Sequence, residues 1–316
     1  MKPPSLDVNC ILCDKEVLMI APQRILPVEL VRQFGKSVAS PVPDLAAPAL
    51  LIARLGYPWL DSNHYLAKLE SMGSALADKF TLSDKPNMPN GPIDAINKYL
   101  FQEQGFSGNT ENYDDPRNSF LNQVLDRRTG IPLTLAVVYI EVARRAGIRV
   151  DGVNFPGHFL LRFPFGQEHD PTNAVFVDPF DGGSVLSEAD CRALLRRHAG
   201  GTMDFDSKLL APATKQQILT RMLGNLKRVY IGMRAFPQSR AVTDLLLAVD
   251  PSSLNELRDR GLLSYHINDY PSALRDLETF LQFSTRNEEG EDDSHEERKE
   301  IWTHVKTLRR RMAGLN

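Results

Sequence analysis

The chain has 316 residues, with 37 Lys and Arg against 40 Asp and Glu, and therefore a formal net charge of −3. Its 42% hydrophobic and 24% charged residues are ordinary globular proportions, which exclude a wholly disordered or collagen-like chain. The balanced charge gives no electrostatic reason to expect binding to nucleic acid or to an anionic membrane. At about 150 residues per domain, the length predicts two domains.

Cysteine usage and hydropathy indicate the compartment. Three cysteines are too few for a disulfide framework in a chain of this length, which favours a reducing environment. The first ten residues hold two prolines and an aspartate where a signal peptide needs an apolar stretch. The most apolar run, Ile131–Ile140, ends at Glu141, short of the roughly 20 residues that span a bilayer. We therefore expect a soluble, cytoplasmic protein without a membrane partner, and nothing here indicates its oligomeric state.

Residues 1–44 are interpreted as an N-terminal extension punctuated by prolines. Within it, Cys10 and Cys13 form a lone C-x-x-C motif, whereas a zinc site needs a second pair of ligands. His64 and Cys191 are isolated along the chain and do not supply that pair. We therefore expect neither a metal nor another cofactor, and we favour two unligated thiols over redox chemistry.

Helices are predicted next. Apolar residues recur at three- and four-residue steps between Asp44 and Phe80, as on the buried faces of two helices. Either Asp61 or Ser62 can cap the second of these helices. A further helix is predicted around Ile93–Gln104, and a long polar loop follows it.

The most apolar helix begins after Ile131, with Pro132 in its first turn, where a missing N–H costs nothing. Gly147 ends this helix. The period then changes to two in three short β-type runs, which read IRVDGVNF, HFLLRF and AVFVDPF. Helices followed by an antiparallel sheet predict an α+β domain, which we place at residues 45–210.

The last third of the chain contains an internal repeat. A shift of 34 residues places Phe236 on Tyr270, each followed by proline, and Ser239 on Ala273. A period of 34 residues with paired helices resembles the tetratricopeptide repeat. This part of the chain is therefore predicted to be all-α.

Two copies of the repeat fit into residues 213–285, and Lys227 in the first copy stands where the second has Gly261. Free-standing stacks usually need three copies, so we expect these two to be covered by the preceding domain or by the last helix. That helix is predicted around Arg298–Met312. Residues 286–316 as a whole are interpreted as an acidic loop followed by this helix.

Three landmarks for chemistry follow one another along the chain. Pro132 begins the central helix, His158 precedes one β run, and Asp178 ends the next run. In a hairpin the start of one strand lies beside the end of its partner, so His158 and Asp178 are expected to be neighbours. A base and its orienting carboxylate are arranged in this way in Cys-His-Asp hydrolases and transferases, with the nucleophile at a helix N-terminus that lowers its thiol pKa.

Three sequence blocks carry a resemblance to a known family. They read YDDPRNSFLNQVLDRRTGIPLTLAVVYIEVARRAGI, GVNFPGHFLLRF and VFVDPFDGG. Together they resemble the SirB-type branch of the transglutaminase-like superfamily, whose members also carry tetratricopeptide repeats after the core domain. The resemblance extends from about Leu45 to Leu281 and implies a papain-like α+β core.

The resemblance also implies which residues occupy the catalytic positions. In active members the central helix begins with Gly-x-Cys and has an alanine four residues after the cysteine. Gly130 and Ala136 match that spacing, and the position of the nucleophile is Pro132. His158 and Asp178 fall on the catalytic histidine and aspartate of the superfamily, where we treat them as vestigial catalytic residues.

Pro132 is where this sequence departs from the catalytic pattern of the superfamily. It has neither a thiol nor the backbone N–H that would help to stabilise an oxyanion. Substitutes for the missing nucleophile are weak. Thr134 lies about 200° around the helix from Pro132, Thr129 lacks the acidity of a thiol, and Cys191 is expected in a helix outside the site. The residues expected to line the cleft are Asn118, Arg128, Thr129 and Asn154. The competing explanation for polar residues in this region is that they cap helices or form surface salt bridges.

Two functions remain open from the sequence. The favoured one is a non-catalytic scaffold that binds a protein partner through its helical repeats, since such repeats present extended binding surfaces. In that case His158 and Asp178 are mainly a hydrogen-bonded pair of the core. The alternative is a hydrolase or acyl-transferase that uses the same pair with a different nucleophile or an activated water.

Overall fold

The computed structural model describes residues 28–81, 91–164, 174–199, 203–284 and 292–313. Within these ranges helices predominate and one four-stranded antiparallel sheet lies among them, which confirms the α+β class. No helix in the described part of the chain is long and apolar enough to cross a membrane. The prediction for Cys10 and Cys13 lies outside the described residues.

The described part of the chain that precedes the central helix is mainly helical. Its helices are α1 Val28–Ala39, α2 Ala46–Ala53, α3 Ser62–Thr81, α4 Gly91–Asn97 and α5 Leu121–Arg127. A π-helical stretch, Lys98–Glu103, continues α4 and completes the helix expected there. The carboxylate of Asp61 accepts a hydrogen bond from the N–H of Asn63 at 3.0 Å, so Asp61 caps α3.

The central helix α6 covers Pro132–Arg145, and every residue from Pro132 to Ala143 is buried. Its one buried acid is Glu141, which is fully enclosed and accepts hydrogen bonds from the N–H of Leu45 at 2.9 Å and from Arg144 at 2.9 Å. Arg145 also donates to this carboxylate. The buried charge is therefore paired, and it joins the start of α2 to α6.

The sheet consists of β3 Asp151–Val153, β4 Leu160–Pro164, β5 Ala174–Asp178 and β6 Ser184–Leu186, paired in that order. Alternate residues of β4 face opposite sides. Leu161 and Phe163 join the core around α6, whereas Leu160 packs with α7, Glu188–Ala199, on the other face. A separate parallel pair joins β1 Ser107–Gly108 to β2 Thr129–Gly130.

The repeat forms two helical hairpins. The helices are α8 Lys215–Gly232, α9 Phe236–Val249, α10 Leu254–His266 and α11 Tyr270–Ser284, and α12 Asp292–Ala313 follows them. The 34-residue offset holds in the structure, because α9 and α11 begin at equivalent residues. Ser239 and Ala273, which the offset superimposes, are both fully buried.

Both expected forms of cover are present. The hairpin α8–α9 joins the main core, while α12 buries Ile301, Val305 and Leu308 against α11. The proline-rich N-terminal extension also contributes, because α1 packs on α9, and Lys215 Nζ donates to the carbonyl of Ser37 at 2.6 Å and to two further carbonyls just after α1.

One boundary needs correction. Helix α12 begins at Asp292, inside the acidic run that the sequence predicted as a loop. Acidic residues suit the first turn of a helix because its free N–H groups carry partial positive charge.

Candidate functional site

The N-terminus of α6 is fixed from both sides. Strand β2 pairs with β1 and leads through the extended residue Ile131 into Pro132. The Thr134 hydroxyl donates to the carbonyl of Asn118 at 2.7 Å and accepts from the N–H of Ile131 at 3.2 Å. Because this buried hydroxyl is used in holding the helix start, Thr134 is not placed to act as a nucleophile.

A tight turn positions His158. Gly157 has φ +68°, and a Cβ atom there would lie 2.5 Å from the Cβ of His198, so the turn requires glycine. The N–H of His158 donates to the carbonyl of Phe155 at 3.1 Å and closes the turn. The His158 ring is thereby held at the entrance to β4, with only 7% of the residue exposed.

His158 and Asp178 are hydrogen-bonded, as the hairpin argument predicts. The His158 Nε2 and Asp178 Oδ2 atoms are 2.8 Å apart, and both residues are buried. The pairing of Leu161 with Val177 in β4 and β5 brings them together. The other oxygen of Asp178 accepts from the N–H of Phe180 at 2.9 Å, which fixes the carboxylate. This pair has the geometry of a base held by an orienting acid.

A second histidine packs on the first. The His198 ring, on α7, stacks on His158 with ring centroids 5.5 Å apart and an interplanar angle of 16°. Burial, helped by the neighbouring His158 and Arg197, lowers the pKa of His198 below its ordinary value. Near neutral pH the neutral form of the His198 ring, which stacks on His158, is therefore favoured.

A cleft of about 380 Å³ opens beside this pair. The core domain lines it with Tyr113, Asp114, Pro132, Leu133, Gly157, His158 and Phe159. Two of the three sequence landmarks, Pro132 and His158, therefore meet on one wall. The opposite wall belongs to α8, which contributes Arg221, Asn225 and Arg228. The cleft lies at the junction of the core with the first hairpin, and we call it the junction cleft.

The α8 wall was missed from the sequence. Arg221 donates through Nη1 to the carbonyl of Phe155 at 2.7 Å and to the side chain of Asn154, and burial lowers its pKa. Arg228 is paired with Asp114 at 2.8 Å, and both side chains are largely exposed. The available signal was a polar stripe at positions 221, 225 and 228, although such a stripe usually marks a solvent-facing helix surface.

Asn118 and Thr129 were expected to line the cleft, and neither is among its lining residues. Asn118 is fully buried, and its amide donates to the carbonyl of Asn112 at 2.7 Å. The Thr129 hydroxyl donates to the carbonyl of Arg127 at 3.2 Å, within its own turn. Both side chains hold the loops that precede α6.

Arg128 and Asn154 are also not among the lining residues. Arg128 has φ 57° at the end of α5 and donates to the carbonyl of Gln104, on the side of the π-helical stretch. Asn154 accepts from Arg221 and so contacts a residue of the wall. Its role is to orient that arginine, which does line the cleft.

Cys191 is placed as expected, in α7 outside the junction cleft. It is fully buried, and its burial raises the pKa of the thiol to about 11. Because the thiolate is the reactive form, this cysteine is a poor nucleophile near neutral pH. Among the described residues, no group of three or more His, Cys, Asp or Glu side chains is arranged to hold a metal ion.

Comparison with known families divides the chain into the same two parts, with the boundary between the matches inside α8. Residues 63–224 match the family model described as the transglutaminase-like superfamily. Residues 226–298 match the model of the tetratricopeptide repeat. The first match includes the start of α8 and so contains the core wall of the junction cleft and Arg221, whereas Asn225 and Arg228 lie beyond its last residue.

Three relatives illustrate the range of similarity. A UPF0162 protein of Xylella fastidiosa is 42% identical over 250 residues, which are 77% of this chain and 85% of that protein. A UPF0162 protein of Pseudomonas aeruginosa is 34% identical over 197 residues, covering 61% of this chain and 67% of the relative. Human F-box only protein 21 is 32% identical over 187 residues, covering 57% of this chain but only 28% of that larger protein.

Proposed function

The chain belongs to the transglutaminase-like superfamily, and from this membership we propose that it is a non-catalytic member acting as a protein-interaction or regulatory scaffold. Within the superfamily we assign it to the SirB-type branch. We retain residues 45–210 as the core domain and 213–285 as the repeats, and we propose that the protein works in the cytoplasm.

The observation that carries this proposal is Pro132 on the wall of the junction cleft with His158. A covalent mechanism needs a nucleophile beside the histidine, and proline offers neither thiol nor hydroxyl. Proline also lacks the N–H that would donate to an oxyanion at this position. Two catalytic elements are thus missing at one residue, while the His158–Asp178 pair keeps its geometry.

The proposed interaction role is supported by the tetratricopeptide match, because stacked helical hairpins present extended surfaces to partner proteins. Ile231 and Met233, at the end of α8, are exposed apolar side chains on this module. Affinity capture with the full chain should lose specific partners when both are changed to serine. The same partners should remain with Val185→Ser, an equally exposed apolar residue on β6.

Catalysis is tested by amine incorporation into a glutamine-containing protein and by hydrolysis of a peptide mixture. We expect the wild type to give no more turnover than His158→Ala. The exposed His64 provides a matched control, since His64→Ala removes a histidine outside the cleft. Turnover that is lost in His158→Ala but kept in His64→Ala would show that the protein is an enzyme.

The position of the lost nucleophile has its own test. Pro132→Cys places a thiol at the start of α6 in the cleft with His158, where the helix field and a nearby imidazole lower thiol pKa values. Peptide mapping after iodoacetamide treatment should show this thiol alkylated much faster than Cys191. Equal rates would place residue 132 outside the reactive geometry of the superfamily.

A hydrolase that activates water is the second candidate. It is favoured by one observation, the intact 2.8 Å contact that orients His158 at the cleft. In this case His158 acts as a general base on a water molecule and needs no side-chain nucleophile. The turnover assay above separates the two candidates, because hydrolysis without amine incorporation supports only this one.

A further inference from the structure

Arg221 is a positive charge that the protein does not neutralise. Its Nη1 atom is bonded to two neutral acceptors, the carbonyl of Phe155 and the side chain of Asn154. No carboxylate in the described part of the chain forms an ion pair with it. A partly buried cation without a counter-ion is costly to maintain, so its presence on a cleft wall points to a ligand with negative charge.

The other groups that face the junction cleft do not cancel this charge. Arg228 and Asp114 neutralise each other across the cleft opening. His158 is bonded to its own acid, Asp178, behind the wall. Tyr113 and Asn225 are uncharged at neutral pH. The charge that a ligand in the cleft meets is therefore that of Arg221.

We propose that the junction cleft binds the carboxylate of an acidic side chain in an extended peptide segment, and that Arg221 selects its charge. This inference rests on the proposed function, since a cleft that no longer processes peptide can still hold it. The planar guanidinium matches a carboxylate in a two-point contact. Leu133 and Phe159 supply apolar walls for the stem of the side chain, and about 380 Å³ is within the size range of small-ligand pockets.

The test uses the full chain and two probes, a blocked pentapeptide with a central glutamate between alanines and its glutamine counterpart. Binding is followed by nuclear magnetic resonance titration, which detects millimolar affinity. We expect the glutamate peptide to bind about tenfold more tightly, because hydrogen bonds to charged groups are stronger than hydrogen bonds to neutral groups. Arg221→Gln should abolish this preference. Arg310→Gln, which removes an exposed charge on α12, should retain it.

A second variant protects the test from simple misfolding. Asp114→Asn removes the counter-ion of Arg228 at an exposed site and leaves that arginine available to the ligand. The preference for the glutamate peptide should then increase several-fold, an outcome that loss of structure does not produce. No increase, together with no effect of Arg221→Gln, would overturn the proposal. Tighter binding of inorganic phosphate than of the glutamate peptide at Arg221 would overturn the choice of carboxylate.

The non-catalytic function and the carboxylate site can be contradicted independently of each other. Turnover that depends on His158, combined with an intact glutamate preference, removes the non-catalytic function but supports the carboxylate site. Absence of turnover combined with equal binding of both peptides removes the carboxylate site and leaves the scaffold function standing.

Discussion

The two helical hairpins have the same period but use one equivalent position in opposite ways. Lys227, on α8, is buried, and its Nζ atom lies 2.6 Å from the carboxylates of both Glu256 and Asp259 on α10. At the equivalent place on α10, Gly261 allows such close approach of α11 that a Cβ atom would lie 2.7 Å from Leu277. The first copy uses this position to hold the next hairpin, and the second uses it to bring its own helices together.

The hairpins also differ in what covers them. The first hairpin shares the core around α6, and α1 packs against its second helix. The second hairpin forms a separate apolar cluster with α12. The second hairpin and α12 are therefore expected to open independently of the core, because stability in such repeats is largely a sum of neighbour contacts.

Phe280→Ala is expected to have the largest effect. Phe280, on α11, is buried in the apolar cluster that α11 forms with α12, and losing such a side chain costs about 3–5 kcal/mol. Hydrogen exchange should quicken in α10, α11 and α12 while α6 stays protected. The matched change Leu223→Ala, in the first hairpin, should instead expose α6 as well. Uniform loss of protection in both variants would show that the hairpins unfold as one unit.

Lys227→Met should cause the next largest loss of stability. The change removes the cation that Glu256 and Asp259 share, and charged hydrogen bonds contribute about 1.5–3 kcal/mol. Urea unfolding measures the loss. Lys208→Met, at an exposed position, controls for the charge removed and should change the free energy of unfolding little. A similar small change in Lys227→Met would mean that the ion pairs do not hold the hairpins together.

Replacing each of two glycines by alanine should change the stability of the protein in opposite directions. Gly261→Ala forces a Cβ atom against the buried Leu277, and overpacking of this kind costs about 1–3 kcal/mol. Gly224→Ala, in the first hairpin, meets no atom within 4 Å and should stabilise α8 by about 0.5–1 kcal/mol. Thermal unfolding of both variants gives the signs, and a gain at both positions would contradict the close approach of α10 and α11.

The smallest effect is expected at the exposed contact between α11 and α12. Arg309 and Glu278 lie 2.6 Å apart, with 55% and 38% of their side chains exposed. Arg309→Ala should cost less than about 1 kcal/mol, since solvent screens such pairs. The cost, measured by urea unfolding, should shrink further in high salt. A large cost that salt does not change would indicate that the arginine stem packs on α11 instead.

The sequence predicted those parts of the site that depend on local patterns. The hairpin argument was enough to predict the contact of His158 with Asp178, whereas the family resemblance placed Pro132 beside them. The α8 wall was out of reach, because Arg221 belongs to a distant helix whose polar face resembles a solvated surface. The short strand β6 and the helix α1 were also missed, since three residues show no clear period and prolines conceal the helix.

Lys215 has a consequence for the order in which the chain folds during synthesis. Its ammonium donates a hydrogen bond to the carbonyl of Ser37, which precedes it by 178 residues. At 5–20 residues per second, α1 waits roughly 10–35 s after it is made before this lysine follows. During that delay α1 can already pack on α2 but not yet on α9, so the apolar face formed by Leu30, Phe34 and Val38 is only partly covered. A newborn chain therefore carries a partly uncovered apolar helix until the repeats are made, and this interval is when chaperone binding would protect it from association.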